Sequence, residues 1–184
     1  MINIIPSRAP LGIGKKCYIE APTRKKMAAY KDFLHRNESY HRPWVYHSFK
    51  QEYYEHYLKR IKNGMLQGCF VIDSQTDNLV GIININNILL GPMRMASLGY
   101  YGDEAYAGKG YMAEGMTLAI KYAFESLGLH RLEANIQPGN TPSIRLVQKL
   151  GFRKEGFSPK YLQIGGKWCD HERWAILDEE FGKE

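Results

Sequence analysis

The chain has 184 residues, a length suited to one compact domain. Hydrophobic residues make up 44% and charged residues 24%, which excludes a disordered, collagen-like or coiled-coil chain. The formal net charge of +6 is unevenly placed: residues 1–64 hold 13 Lys/Arg against 5 Asp/Glu, whereas residues 65–184 hold 12 against 14.

Residues 1–15 read as an N-terminal extension, expected to be poorly ordered. Lys16–Ala21 predicts a short strand, ended by Pro22. Thr23 then caps a helix running to about Asn37, with Met27, Tyr30, Phe33 and Leu34 on one face. A loop follows with His41-Arg42-Pro43-Trp44. Ser48 is expected to open a second helix, with Gln51 completing a capping box. Tyr54, Tyr57, Leu58 and Ile61 form its apolar stripe, and Asn63-Gly64 ends it through a left-handed exit. Gly68–Asp73 and Leu79–Asn87 flank a polar turn and read as a hairpin. Arg94–Tyr101 is a third strand. Gly110–Leu127 is a long helix, with Met116, Ala119, Ile120, Ala123 and Leu127 at helical spacing. His130–Gln137 is a strand. Asn140–Leu150 is a helix, with Pro142 in its first turn and Gly151 just past its end. Phe152–Phe157, Tyr161–Ile164 and Trp168–Leu177 are closing strands. The order predicts a single mixed α/β domain over residues 1–184, antiparallel in its first half and β-α-β-α in its second.

No run of 18 apolar residues exists, so no membrane span is expected. The N-terminus lacks the basic start and apolar stretch of a signal peptide. Cys17, Cys69 and Cys169 are three isolated thiols. An odd, scattered count points to a reducing compartment, hence the cytoplasm. No CxxC or HxxxH spacing occurs, so no metal site is expected. The basic first third is either a solvated face or the footprint of an anionic partner. No recognised nucleic-acid motif accompanies it, so specific DNA binding is not expected.

The segment that carries chemistry is Tyr106-Ala107-Gly108-Lys109-Gly110-Tyr111-Met112-Ala113-Glu114, between a strand and a helix. Two glycines there serve either as steric helix caps or as a loop whose N–H groups converge on a phosphate. The spacing fits neither GxxxxGK[ST] nor GxGxxG. Downstream stand Asn140-Thr141-Pro142-Ser143 and Leu150-Gly151-Phe152. Together with Arg42-Pro43-Trp44, Leu98-Gly99-Tyr100, Leu129-His130-Arg131, Glu155-Gly156 and Gly166-x-Trp168-x-Asp170-His171, this pattern resembles the GCN5-related N-acetyltransferases (GNAT). Within them it is similar to the ribosomal-protein-alanine N-acetyltransferases. The resemblance spans roughly Thr23 to Leu177.

That resemblance implies a mostly antiparallel, twisted sheet with helices on both faces. A splayed strand pair would hold acetyl-CoA. It implies that the amides of Gly108, Lys109, Gly110, Tyr111 and Met112 hold the pyrophosphate. The strand end at Tyr100 and Tyr101 would pair with the pantetheine. Ala107 stands where relatives carry Gln or Arg, and Met112 where they often carry Gly or Ala. Lys109 or Lys149 could compensate for the lost side-chain contact. Asn140 and Ser143 open the helix that ends at Leu150, and Ser143 matches the subgroup's proton donor. Val147 replaces the tyrosine donor of other members. Asn135 replaces a basic glutamate and is expected at the substrate, which leaves Glu133, Glu104 or Asp103 as candidate bases. Glu114 reads as structural. Trp44 and Tyr46 would wall the acceptor side, whereas Tyr54 and Tyr57 read as core.

The implied function is acetyl transfer to a primary amine, foremost the N-terminal α-amine of a protein such as a ribosomal protein. The alternatives are a small-molecule amine and a non-catalytic module binding coenzyme A or the ribosome. The expected partners are that acceptor and the ribosome, with the protein acting as a monomer or a homodimer.

Overall fold

The computed structural model describes residues 9–182. Its strands are β1 Gly12–Ile13, β2 Cys17–Glu20, β3 Leu66–Asp73, β4 Leu79–Leu89, β5 Met95–Gly102, β6 Arg131–Ile136, β7 Arg153–Ile164 and β8 Lys167–Leu177. The helices are α1 Met27–Arg36, α2 Glu38–His41, α3 Gln51–Lys62, α4 Tyr111–Glu125 and α5 Thr141–Lys149. The strands form one sheet in the order β1-β2-β3-β4-β5-β6-β8-β7. β5 and β6 pair in parallel, and the other neighbours pair antiparallel. A parallel step needs a crossover, and α4 supplies it.

Side chains alternate across a strand, so the sheet has two apolar faces. Phe70, Ile72 and Ile82 pack on one face with Phe33 and Leu34 of α1 and Tyr54 of α3. Val71, Ile83 and Ile85 pack on the other with Met116, Ala119, Ile120 and Ala123 of α4. β3 is buried at every position because both faces are covered. The two faces also meet the expectation for Tyr54, which is buried and donates its hydroxyl to the Thr23 carbonyl at 2.7 Å. Tyr57 lies on the same side and donates to Asn84 Oδ1 at 2.7 Å.

Two pairings set up the site. β4 holds β5 to its last residue, through Gly81↔Gly102. β6 releases β5 after Leu98↔Ala134 and stays with β8 through Ile136↔Glu172. The last four residues of β5 therefore diverge from β6, which is the split expected of the sheet.

Several local expectations are corrected. Thr23 does not cap α1; a 3-10 turn over Arg24–Lys26 precedes it, and the Thr23 carbonyl accepts from Lys26 N–H. Ser48 does not open α3, which starts after Lys50, and the Gln51 side chain donates to Glu55 instead of forming a box. The segments 152–157 and 161–164 are one strand, β7, interrupted by an irregularity between Ser158 and Leu162. Lys160 takes φ +48° there and its N–H donates to Asp170 Oδ1 at 2.8 Å. Of the expected N-terminal extension, residues 1–8 lie outside the described residues, and Gly12–Ile13 pair with β2. No helix among the described residues is long and apolar enough to cross a membrane.

Candidate active site

The split between β5 and β6 opens into a cleft of about 810 Å³. From the β5 end, Tyr100 and Tyr101 line it, and from the glycine loop Ala107, Gly108, Gly110, Tyr111 and Met112. Asn140, Ser143 and Lys149 of the α5 segment complete that side. Trp44, Tyr46 and Asn135 line the other end. Glu104, Lys109 and Glu133 are not among its lining residues.

The loop owes its shape to two left-handed glycines, Gly108 at φ +72° and Gly110 at φ +88°. A Cβ on Gly108 would meet nothing within 4 Å, so torsion rather than crowding calls for glycine there. Glu114 N–H donates to Gly110 O at 3.0 Å. The three preceding amides, of Tyr111, Met112 and Ala113, start α4 without intrahelical acceptors, with the positive end of the helix dipole behind them. Such a cradle suits a phosphate.

Lys16, which the sequence gave no reason to single out, fixes the loop from behind. Its Nζ donates to the Lys109 carbonyl at 2.8 Å, and its N–H donates to Glu114 Oε1 at 2.8 Å. In a trans peptide the carbonyl and the next N–H point in opposite directions. Holding the Lys109 carbonyl therefore aims the Gly110 N–H the other way. Lys109 itself departs from expectation. Its N–H turns back to Tyr106 O at 3.3 Å, and its ammonium sits 5.6 Å from the Tyr106 ring centre. Glu114 is structural, as expected, through Lys16. Met112 fits because its side chain lies across two facing glycines. A Cβ on Gly81 would fall 2.4 Å from its Sδ, and one on Gly102 would fall 2.7 Å from its Cγ.

At the opposite wall, Asn140 Oδ1 accepts the Ser143 N–H at 3.2 Å and so caps α5. The Ser143 hydroxyl is not consumed by the cap. It donates to the Tyr100 hydroxyl at 3.1 Å, which in turn donates to the Ser143 carbonyl at 3.4 Å. Burial pushes the Tyr100 phenol up to about 12. Val147 is fully buried in the core and offers no proton.

The expected carboxylate bases are engaged or turned away. Glu133 accepts from Arg131 Nε at 2.9 Å and from Arg173 at 2.9 Å. The Glu104 backbone N–H donates to Asn37 Oδ1 at 2.9 Å, while its exposed side chain lies off the cleft. Asp103 does line the cleft, but it is 5% exposed and its Oδ2 accepts from Arg36 Nε at 2.8 Å.

A histidine pair closes the floor near β5. The Gly102 carbonyl lies 2.7 Å from His41 Nε2. A carbonyl only accepts, so Nε2 carries the proton and Nδ1 is bare. His41 Nδ1 then accepts from His47 Nε2 at 3.2 Å. Burial lowers both imidazoles, His47 to about 4, with the neighbouring ring adding to the effect on His47. At the far end the Trp44 ring lies 3.5 Å from a Cβ position on Gly139, and the Trp44 carbonyl accepts from Gln137 at 3.2 Å. The Tyr46 ring lies against Gly165 in the β7–β8 turn. His41 reaches the site from the end of α2, a short helix over a stretch that reads as loop in the sequence.

The acetyltransferase (GNAT) domain family matches residues 17–153. The probable N-acetyltransferase YjcK of Bacillus subtilis is 34% identical over 157 residues, 85% of this chain and 72% of that protein. The [ribosomal protein uS5]-alanine N-acetyltransferase of Escherichia coli is 38% identical over 111 residues, 60% of this chain and 57% of that protein. Among solved structures, spermidine N-acetyltransferase from Vibrio cholerae, in complex with CoA and spermine, superposes with a TM-score of 0.78 at 25% identity, over 91% of this chain and 98% of that one. Members of the family use acetyl-CoA, which suits a phosphate cradle opening a split sheet. The matched segment runs from β2 through the cradle to the start of β7, and with it this chain belongs to the GNAT acetyltransferases.

Proposed function

We propose that the chain transfers an acetyl group from acetyl-CoA to the N-terminal α-amine of a protein, a ribosomal protein foremost. The observation that carries this reading is the charge at the acceptor end. Among the described residues lining the cleft, the sole carboxylate is Asp103, and Arg36 already neutralises it. At that end Trp44, Tyr46 and Asn135 carry no charge, and burial holds the His41 imidazole neutral. A polyamine brings several ammonium groups, and each loses hydration without gaining a free carboxylate. A protein N-terminus brings one amine with a pKa near ~7.7–8.0, so a useful fraction is already neutral. The E. coli relative is named for such an acceptor. A second reading, a polyamine acceptor, rests on the name of the V. cholerae structure.

In this reading acetyl-CoA supplies an activated acetyl thioester. The amides of Gly108, Gly110, Tyr111 and Met112 bind its pyrophosphate, and Lys149 adds charge at the rim. The free edge of β5 at Tyr100 and Tyr101 holds the pantetheine. Asn140 orders the start of α5, and Ser143 gives a proton to the departing sulfur. Asn135, Trp44 and Tyr46 face the acceptor. Lys59, Arg60 and Lys62, in the last turn of α3, offer the ribosome a basic face.

The test is thiol release from acetyl-CoA with a panel of N-terminal peptides, polyamines and amino acids. Turnover with Ala- or Ser-initial peptides is expected. Release with spermidine alone moves the assignment to the second reading, and CoA binding without release for any acceptor ends both. The loop geometry gives a second expected outcome. Lys16→Met should raise the KM for acetyl-CoA about tenfold, roughly one charge-assisted hydrogen bond. Its kcat should stay within about twofold, because Lys16 touches the loop and not the reacting atoms. An unchanged KM removes the orienting role of Lys16.

A further inference from the structure

With Glu133 tied to two arginines, Glu104 off the cleft and Asp103 paired, the amine still needs a group to take its proton. We propose that His171 is that general base, and that it takes the amine proton on Nε2. The inference rests on the amine-acceptor reading above. His171 sits on β8 one residue beyond Glu172, the partner of Ile136, so it stands where β6 leaves the sheet. It is 3% exposed and lines the same cleft as Ser143. Its Nδ1 lies 3.0 Å from the Cys169 carbonyl. That carbonyl can only accept, so Nδ1 is the protonated nitrogen and Nε2 of the neutral ring is a bare acceptor. Among the described residues Nε2 has no hydrogen-bond partner, and it is not among the sealed, unpartnered side-chain atoms. The other imidazole in the cleft, His41, has both nitrogens occupied, by Gly102 and by His47.

The groups around the ring leave this role open. From β7 the Tyr161 ring stands 5.7 Å away, centre to centre. Arg173, on the same strand, lies over that tyrosine at 4.8 Å and bonds Glu133. Asp170 is occupied by the Lys160 N–H. From β6 and the turn after it come only the uncharged Asn135, Ile136 and Gln137.

The proton count closes. The amine nitrogen bonds to the acetyl carbonyl carbon as the C–S bond breaks. Sulfur leaves with the bonding electrons and takes the Ser143 hydroxyl proton. An ammonium acceptor gives up two protons. One passes through His171 Nε2 to water, and the other restores the Ser143 hydroxyl. One proton is released per turnover.

The test compares kcat at saturating acceptor from pH 6 to 9.5 for the wild type and His171→Asn. Asn Nδ2 can keep the bond to the Cys169 carbonyl while removing the base. The expected loss is about 10²-fold at pH 7. It should shrink to below about tenfold once the pH exceeds the amine's own pKa, because water then does the deprotonation. CoA binding should stay within about twofold. A loss that is the same at every pH, or no loss at all, overturns the assignment. If His171→Asn fails to fold, His171→Gln is read in the same way. The comparison uses whichever acceptor turns over, peptide or polyamine, so the base and the acceptor identity stand or fall separately.

Discussion

Replacing Ser143 by alanine is expected to lower kcat about 10²-fold and to leave the KM for acetyl-CoA within about twofold. The magnitude is at the low end for loss of a general acid, because a thiol with a pKa near ~8.5 already leaves well. The structure separates this role from helix capping. Asn140 caps through the Ser143 backbone N–H, and the hydroxyl is free to turn from Tyr100 toward the cleft. The melting temperature of Ser143→Ala should therefore hardly move, whereas Asn140→Ala should cost about 1 kcal/mol of stability. Tyr100→Phe removes the resting partner but not the donor, so its loss of kcat should be smaller than that of Ser143→Ala. Steady-state kinetics together with thermal melts decide the matter. Wild-type turnover in Ser143→Ala combined with a lower melting temperature would make Ser143 a structural residue.

Acid should weaken the fold through His47. Its folded pKa is held near 4, chiefly by burial and then by the neighbouring His41. The unfolded chain takes up this proton near ~6.5. As pH falls below 6.5 the unfolded state gains protons first, so stability drops until the folded value is reached and then levels off. The contribution is fully present above pH 6.5, and about 3 kcal/mol is lost between there and pH 4. Urea unfolding of the wild type and His47→Gln at pH 7, 5.5 and 4 isolates the effect, since other titrating groups are common to both proteins. The gap between the two should close as the pH falls. Equal slopes would remove His47 from the acid response. Because His47 donates to His41, and His41 to the Gly102 carbonyl, activity should fail in the same window as the β5 end loosens.

Period and punctuation made the frame legible. The α4 positions spaced at 3.6 residues, Met116, Ala119, Ile120 and Ala123, are buried against the sheet, together with Gly115. Gly108 and Gly110 marked the cradle because the left-handed backbone they adopt belongs to glycine. Ser48 and Gln51 misled because a capping pattern states only what local bonds are available, and Glu55 competed for Gln51. The stretch 152–164 reads as two strands, 152–157 and 161–164, yet β8 holds them together as one β7 across the irregularity. The bases were illegible for a different reason. Whether a carboxylate is free depends on its cross-strand neighbours, and Arg173 comes to Glu133 from a strand 40 residues away in sequence. Lys16 reaches Lys109 across 93 residues, a proximity that no local pattern encodes. Glycines and helix caps announce themselves, whereas protonation partners arise only on assembly.

The seat of Met112 has an evolutionary consequence. Gly81 and Gly102 face each other across β4 and β5, and one thioether fills the hollow they share. A side chain at either glycine would evict Met112, and a shorter residue at 112 would empty the hollow. The three positions are therefore bound to change as a set, and a lineage that shortens residue 112 gains the freedom to place side chains on both strands beside the cradle.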